Sequence, residues 1–340
     1  MTMTSDHREF RQLGQTGLRV SAFGMGCGNF GGVGSAPEFF GRGESEEEAF
    51  LLLDRAVDLG INFFDTADAY GGGRSEATIG KWLATKDGTV RDRLLISSKV
   101  GNPVGDGPNQ WGLSRRHILR QIDDSLTRLG VDHLDMYLIH EPDPTTPLEE
   151  TMGVLDDIVR AGKVRSIGAS NLPAWQVMKS LWISAERGLH RFEWVQNSFN
   201  LLERRDQSSM LAVSRDQGLG FTPFSPLCGG LLTGKYDLGT GYPTDSRMSM
   251  RPEPYLRFWN EATFARIDRL ANAASDLGVS TAGLALTWVR HHPDITATLV
   301  GPRRTHHFQA VEEAMGLDLS DADWVDIGSW FSEDDAPSTP

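Results

Sequence analysis

The stretch Gly60 Ile61 Asn62 Phe63 Phe64 Asp65 Thr66 Ala67 Asp68 Ala69 Tyr70 decides how the rest of the chain is read. A short apolar run ends on a carboxylate, and a phenol follows just ahead of a glycine-rich turn. Two later runs repeat the design: Leu94 Leu95 Ile96 Ser97 Ser98 delivers Lys99, and Met136 Tyr137 Leu138 Ile139 delivers His140. Buried parallel strands read as continuous apolar runs, because helices cover both faces of their sheet. Asp65, Lys99 and His140 are therefore placed at strand C-termini, with Tyr70 in the loop beyond the first. A barrel of parallel strands gathers its chemistry at that end, from several different strands.

Working outward, strand and helix signals alternate. Strands are expected near 22–25, 62–64, 94–98, 136–139, 164–168, 193–196, 220–224 and 296–300. Helical patterns cover 45–59, 75–83, 115–129, 147–161, 173–188, 205–217, 261–277 and 282–290. About eight strands is the number that closes a TIM-type barrel. Ahead of it, 10–13 and 18–20 flank Gly14 Gln15 Thr16 Gly17 as a β-hairpin. The expected architecture is an α/β (β/α)8 barrel, a single domain over 1–340 with an ordered core of about 10–331 and disordered termini. Ser45 with Glu48 makes a capping box, and Gly60, Gly130, Gly162 and Gly188 stop helices. Two segments, 31–44 and 235–260, exceed ordinary loop lengths. The second carries Tyr236, Tyr242, Tyr255, Phe258 and Trp259, and reads as a lid or pocket wall, or else as an excursion packed on its own aromatics.

Composition narrows the function classes. Hydrophobic residues at 39% and charged residues at 23% fit a soluble globular enzyme, and no apolar stretch approaches a membrane span. The start Met1 Thr2 Met3 Thr4 Ser5 Asp6 has no signal-peptide core, so a cytoplasmic protein is expected. A formal net charge of -13 repels phosphate backbones and argues against a general nucleic-acid role, while local basic pockets for a phosphorylated ligand stay open. Cys27 and Cys228 follow no metal-ligand or CxxC spacing and read as reduced, partly buried thiols.

Three motifs carry less than they first promise. Gly26 Cys27 Gly28 Asn29 Phe30 Gly31 fits GxGxxG, but Gly32 Val33 Gly34 Ser35 Ala36 Pro37 cannot open the helix that would hold a pyrophosphate; a glycine-rich barrel loop is expected. Gly229 to Lys235 resembles GxxxxGK, yet Tyr236 stands where a magnesium-binding Ser or Thr is needed. Its backbone amides could still cradle a cofactor phosphate, with Lys235 neutralising it. The pairs His291 His292 and His306 His307 flank helix ends without metal-ligand spacing, and no metal is expected.

The strand-end residues form a coherent chemical set. A lysine at the end of a buried strand needs a carboxylate partner, since a lone buried charge costs several kcal/mol, and Asp65 supplies one. A Lys99 ammonium near the Tyr70 hydroxyl stabilises the phenolate and is expected to lower its pKa. His140 can donate to the same carbonyl oxygen or relay its proton. Such a set suits protonation of an oxyanion that forms as hydride arrives at carbon.

These residues and their spacing resemble the aldo-keto reductase family. Gly60 to Ala67 with Tyr70, Glu76 and Gly80 looks like its signature, and Ser97 Ser98 Lys99 and Leu138 Ile139 His140 match its lysine and histidine segments. The likeness runs from about Phe10 to Leu319, closest to the branch of bacterial reductases and potassium-channel beta subunits. It implies a (β/α)8 reductase with Asp65, Tyr70, Lys99 and His140 as catalytic tetrad and Tyr70 as general acid.

The resemblance also implies NADPH/NADP+ as cofactor, NADH remaining compatible. Ser170, Asn171 and Gln196 correspond to nicotinamide carboxamide contacts, and Phe224 to the aromatic that stacks on the ring. Ser225, Pro226, Leu227, Gly229 and Lys235 resemble the pyrophosphate-wrapping loop. Gly301, Arg303 and Arg304 resemble the start of the 2′-phosphate segment, where an arginine fork favours NADPH. Beyond them an ungapped match puts His307 and Val311 at the adenosine, and a two-residue insertion would put Gln309, Glu312 and Glu313 there; the ungapped match is preferred. Phe30, Trp111 and Trp259 are candidate substrate contacts, because barrel specificity lies in such loops. The leading reading is reduction of a small-molecule aldehyde or ketone, sugar-like carbonyls included. The alternatives are a cofactor-binding regulatory or redox-sensing subunit and a phosphate-binding barrel isomerase.

Overall fold

The computed structural model describes residues 10–332, so the disorder expected at 1–9 and 333–340 lies outside the described residues. Two short strands, β1 (Phe10–Gln12) and β2 (Arg19–Ser21), pair antiparallel as the expected hairpin. Eight parallel strands follow: β3 (Phe23–Gly26), β4 (Phe63–Asp65), β5 (Leu95–Val100), β6 (Leu134–Ile139), β7 (Val164–Ser170), β8 (Phe192–Gln196), β9 (Gly220–Phe221) and β10 (Thr298–Val300). Their order in the sheet is β10-β3-β4-β5-β6-β7-β8-β9. The seam between the two ends is closed by Thr296 N donating to Phe221 O at 2.7 Å and Leu299 N to Pro223 O at 2.9 Å. A (β/α)8 barrel results, with helices between the strands.

Strand periodicity explains what lies inside. Successive side chains alternate between faces, so Phe63, Leu95, Met136, Leu138 and Trp194 point the same way. With Ala297, Leu299 and the hairpin residues Leu13 and Val20 they form one apolar cluster plugging the barrel. Each of these side chains that is fully buried, Leu95 being partly so, contributes about 1.5–3 kcal/mol. Two residues further along the same faces come Asp65, Ser97 then Lys99, His140 and Gln196, a polar layer standing on an apolar floor. Gly168 makes room for that floor: a Cβ there would lie 2.7 Å from the Trp194 ring. The opposite faces carry Phe64, Ile96, Tyr137 and Ile139 into the larger cluster shared with the helices.

Helix boundaries follow local chemistry. Ser45 accepts from Glu48 N while the Glu48 side chain accepts from Ser45 N, the reciprocal capping box that starts Glu46–Asp58. Gly130 and Gly188, both left-handed, end Arg115–Leu129 and Ala174–Arg187.

Several expectations need correction. The strand expected at 220–224 shortens to β9, because Pro223 has no N–H for the ladder. The helix expected over 205–217 begins as a 3-10 turn, Arg205–Gln207, and continues as Met210–Gln217 after Ser208 and Ser209, a residue type that favours turns over helix interiors. Asp321–Ser329 is an unanticipated helix, held by Trp324 stacking on Trp288 with ring centroids 5.4 Å apart.

The 31–44 segment crosses the barrel mouth with one 3-10 turn, Pro37–Phe39, and no helix follows the GxGxxG match. The 235–260 segment folds on its own aromatics, Trp259 meeting Tyr236, Tyr242 and Phe264 with centroids 5.8, 4.7 and 4.9 Å away. Its Tyr255 ring also covers Gly229. Both cysteines are free and buried. No helix among the described residues is long and apolar enough to cross a membrane.

Candidate active site

The polar layer of β4, β5, β6 and β8 converges on one ammonium. Lys99 is fully buried, and its Nζ donates to Asp65 Oδ2 at 2.5 Å, Thr66 O at 2.9 Å and Tyr70 Oη at 3.3 Å. Three acceptors for three protons leave it satisfied. Asp65 Oδ1 accepts from Ser97 Oγ at 2.9 Å and Gln196 Nε2 at 3.0 Å. The carboxylate thus has a donor set besides its counter-ion, which a buried ion pair requires.

Tyr70 reaches the group from the turn after β4, with its ring beside Gly28. His140 presents Nε2 3.4 Å from the Tyr70 hydroxyl, the two rings meeting edge-on at 80°. Its Nδ1 lies 3.1 Å from Asn102 Nδ2, and Asn102 Nδ2 also donates to Ser35 Oγ at 3.1 Å.

The protonation states follow from burial and neighbours. Burial raises the Tyr70 pKa, and the Lys99 charge that opposes it does not prevail. The expected lowering is therefore absent: Asp65 already neutralises much of the Lys99 field, and Tyr70 stays a phenol at neutral pH. Burial alone would lower the Lys99 pKa, but Asp65 and Tyr70 together raise it. Burial and then Lys99 hold His140 well below its ordinary value, so its imidazole is neutral.

The loop after His140 is pinned by Asp143. Its carboxylate accepts from Leu113 N at 2.8 Å and from the Thr145 and Thr146 hydroxyls at 2.6 and 2.7 Å. Desolvation opposes ionisation, but these bonds bring the carboxyl down to about 2. Since the folded pKa lies below the unfolded value of about 3.9, the stabilisation is complete above that value and is lost as pH falls towards 2. Asp143→Asn should flatten that part of the acid limb in urea titrations between pH 5 and 2; an unchanged limb would refute the assignment.

The segments matched to a dinucleotide adjoin this centre. Asn171 Nδ2 donates to His140 O at 3.0 Å, Glu141 Oε1 at 2.9 Å and Ser170 Oγ at 3.2 Å, and Asn197 Oδ1 accepts from Asn171 N. Ser170 Oγ donates to Gln196 O at 2.8 Å. Gln196, read from sequence as a carboxamide contact, is buried and donates its Nε2 to Asp65. Phe224 is half-buried above the apolar floor.

From there Ser225, Pro226 and Leu227 lead into the 3-10 turn Cys228–Thr233, where Gly229 and Gly230 have positive φ. A Cβ on Gly230 would sit 3.1 Å from Lys235 Nζ, so the ammonium lies over the turn. The non-glycine residues with positive φ among the described ones are Asn171, Ser225, Cys228 and Asp245. All four border these segments, Asp245 through its carbonyl on Arg303 Nη1 at 2.6 Å. Such strain collects where a backbone is shaped around a ligand.

At the far end Gly301 leads to Arg303, Arg304 and His307. His307 Nδ1 accepts from Arg303 N at 3.1 Å. Burial, then the charges of His306, Lys235, Arg303 and Arg304, push its pKa down to about 4. A concentrated positive field inside a chain of net charge -13 fits a phosphorylated ligand. Glu312 pairs with Arg55, Glu313 accepts from Ser280, and Val311 is buried. Arg303 Nε donates to buried Glu44 at 2.6 Å and its Nη1 to Asp245 O at 2.6 Å.

Of the substrate candidates, Phe30 is packed in the core at 1% exposure, and Trp259 belongs to the aromatic cluster of the late segment. Trp111 is exposed at 43%. Asn102, Ser97, Asn197 and Glu44 went unnoticed in the sequence. Ser97 could have been found, two residues before Lys99 on the same strand face; the other three carry no local pattern.

Residues 23–330 match the Aldo/keto reductase family. The chain belongs to this family. It is 35% identical over 320 residues to "Uncharacterized oxidoreductase YrpG" of Bacillus subtilis, covering 92% of each chain. It is likewise 35% identical over 317 residues to "Probable voltage-gated potassium channel subunit beta" of Oryza sativa, again 92% of each. With "L-glyceraldehyde 3-phosphate reductase" of Escherichia coli O157:H7 it shares 33% over 321 residues, 90% of this chain and 87% of the other. This aldo-keto reductase is accordingly an NAD(P)H-dependent oxidoreductase acting on carbonyl groups.

Proposed function

We propose that this aldo-keto reductase reduces aldehydes or ketones, sugar-like carbonyls included, with NADPH as preferred donor and Tyr70 as general acid. The observation that carries the reading is one buried ammonium shared by Asp65 and Tyr70, with His140 Nε2 on the same phenol oxygen. When bound, the reduced nicotinamide supplies a hydride from C4 to the carbonyl carbon. Tyr70, kept protonated by burial, gives its proton to the oxygen as negative charge develops there. Lys99 stabilises the phenolate left behind, at a cost already met by Asp65. Neutral His140 donates Nε2–H to the carbonyl oxygen and orients it.

Ser170, Asn171 and Gln196 would hold the carboxamide, Gln196 also bonding Asp65, and Phe224 would stack on the ring. Ser225, Pro226, Leu227, Gly229 and Lys235 would wrap the pyrophosphate, and Gly301, Arg303, Arg304 and His307 the adenosine end. Trp111 is the exposed candidate for the substrate wall. Steady consumption of NADPH with a panel of aldehydes and ketones tests the reading; no turnover with any of them would refute it. The relative named as a potassium channel subunit keeps a second reading in view, a regulatory or redox-sensing subunit. It predicts a single slow turnover in place of steady consumption.

Arg304 is exposed, bonded to the Arg303 carbonyl and ion-paired only at 3.4 Å to Glu48, so its loss leaves the fold intact. Arg304→Ala should raise the KM for NADPH about tenfold, equivalent to ~1.4 kcal/mol, and leave that for NADH unchanged. Equal changes in both would remove Arg304 from the 2′-phosphate site.

A further inference from the structure

Resting on that reading of His140, we propose that Asn102 is a positioning residue that selects the His140 tautomer able to donate to the substrate carbonyl. A neutral imidazole has one N–H, and the group facing the other nitrogen decides which one carries it. The two Nδ2 protons of Asn102 have two acceptors at the same distance, Ser35 Oγ and His140 Nδ1, both 3.1 Å away. An amide proton on Nδ1 requires a lone pair there, so the imidazole proton sits on Nε2. That nitrogen faces the Tyr70 hydroxyl at 3.4 Å, where the carbonyl oxygen must be held.

The backbone of His140 is fixed separately, its N–H on Val100 O and its carbonyl on Asn171 Nδ2. Ring orientation and tautomer are therefore left to side chains. The charged or titratable groups around the ring are Tyr70 and Lys99, with Glu141 beyond Asn171. None of these supplies a partner for Nδ1. Because Asn102 lies in the loop after β5 and Ser35 in the long 31–44 segment, the same amide ties the first loop of the barrel mouth to the ring it orients.

Asn102→Asp offers an acceptor where the native chain offers a donor. Nitrogen-15 NMR of the histidine-labelled full chain, with the His140 signals identified by their loss in His140→Gln, reads the tautomer directly and needs no turnover. The native imidazole is expected as Nε2–H and the Asn102→Asp imidazole as Nδ1–H. In steady state kcat/KM for a reduced aldehyde should fall about 10- to 100-fold at neutral pH. It should then recover as pH falls, because protonating the imidazole restores Nε2–H; the parent lacks this limb. Asn102→Leu, which offers neither donor nor acceptor, should lose rate without gaining it. NADPH affinity should stay at the parental value in both variants.

A native Nδ1–H tautomer, or an Asn102→Asp ring still in the Nε2–H form, overturns the proposal. A switched tautomer with undiminished kcat/KM also overturns it. Failure of the parent to reduce any carbonyl would count against the reductase reading alone, since the NMR measurement decides the role of Asn102 independently.

Discussion

Replacing Tyr70 by phenylalanine is expected to lower carbonyl turnover by about 10³-fold or more, with NADPH affinity and stability nearly unchanged. On the proposed reading the hydroxyl, in contact with both Lys99 Nζ and His140 Nε2, is the group that passes a proton to the carbonyl oxygen. Its removal takes one 3.3 Å contact from Lys99 and leaves the bonds to Asp65 Oδ2 and Thr66 O. The ammonium therefore stays paired, and the structural loss is about 1 kcal/mol. Stopped-flow and steady-state NADPH oxidation, set beside cofactor fluorescence titration and urea unfolding, separate these quantities. Parental turnover in Tyr70→Phe would end the assignment of Tyr70 as acid.

Lys99→Met should damage both activity and fold. Asp65 would keep Ser97 and Gln196 as donors but lose the one cation paired with it among the described residues, at 4% exposure. Removing one partner of a buried pair costs about 3–5 kcal/mol, and the unfolding free energy should fall by that much. Asp65→Asn with Lys99→Met removes the stranded charge, so the double variant should regain part of the loss; additive losses would show that the pair is not coupled. Turnover should remain low in both. The sign of the pH effect is fixed as well. The folded pKa of Lys99 is raised, so its stabilisation is fully present below the unfolded value of about 10.4 and is lost as pH climbs through the folded value. Lys99→Met should lack this alkaline limb in urea titrations.

Much of the site was legible because it lies on regular structure. Asp65, Lys99 and His140 end continuous apolar runs, and a run buried on both faces is a parallel strand whatever surrounds it. Ser45, Gly130 and Gly188 announced helix ends by capping chemistry that acts within four residues. Two of the misread segments failed for tertiary reasons. Pro223 ends a strand pattern that its neighbours favour, and its carbonyl serves the closing seam instead. Asp321–Ser329 is short and marginal alone, and forms where Trp324 meets Trp288.

The chemistry shows the same division. Expecting Lys99 to lower the Tyr70 pKa was sound as pairwise electrostatics, and it failed because Asp65 and burial act on the same phenol. Reading an arginine fork at Arg303 left out Glu44, which is 259 positions away in the chain and bonded to it.

By itself the sequence determined the strand ends, the order of the tetrad along them, the helix caps and the family resemblance, because each rests on interactions within a few residues or on the period of a strand. Only the tertiary structure decided that Gln196 serves Asp65, that Glu44 engages Arg303, and that Asn102, held also by Ser35, reaches His140. Those are contacts between strand ends and loops far apart in the chain, which the closed barrel brings together and which leave no periodic trace in the sequence.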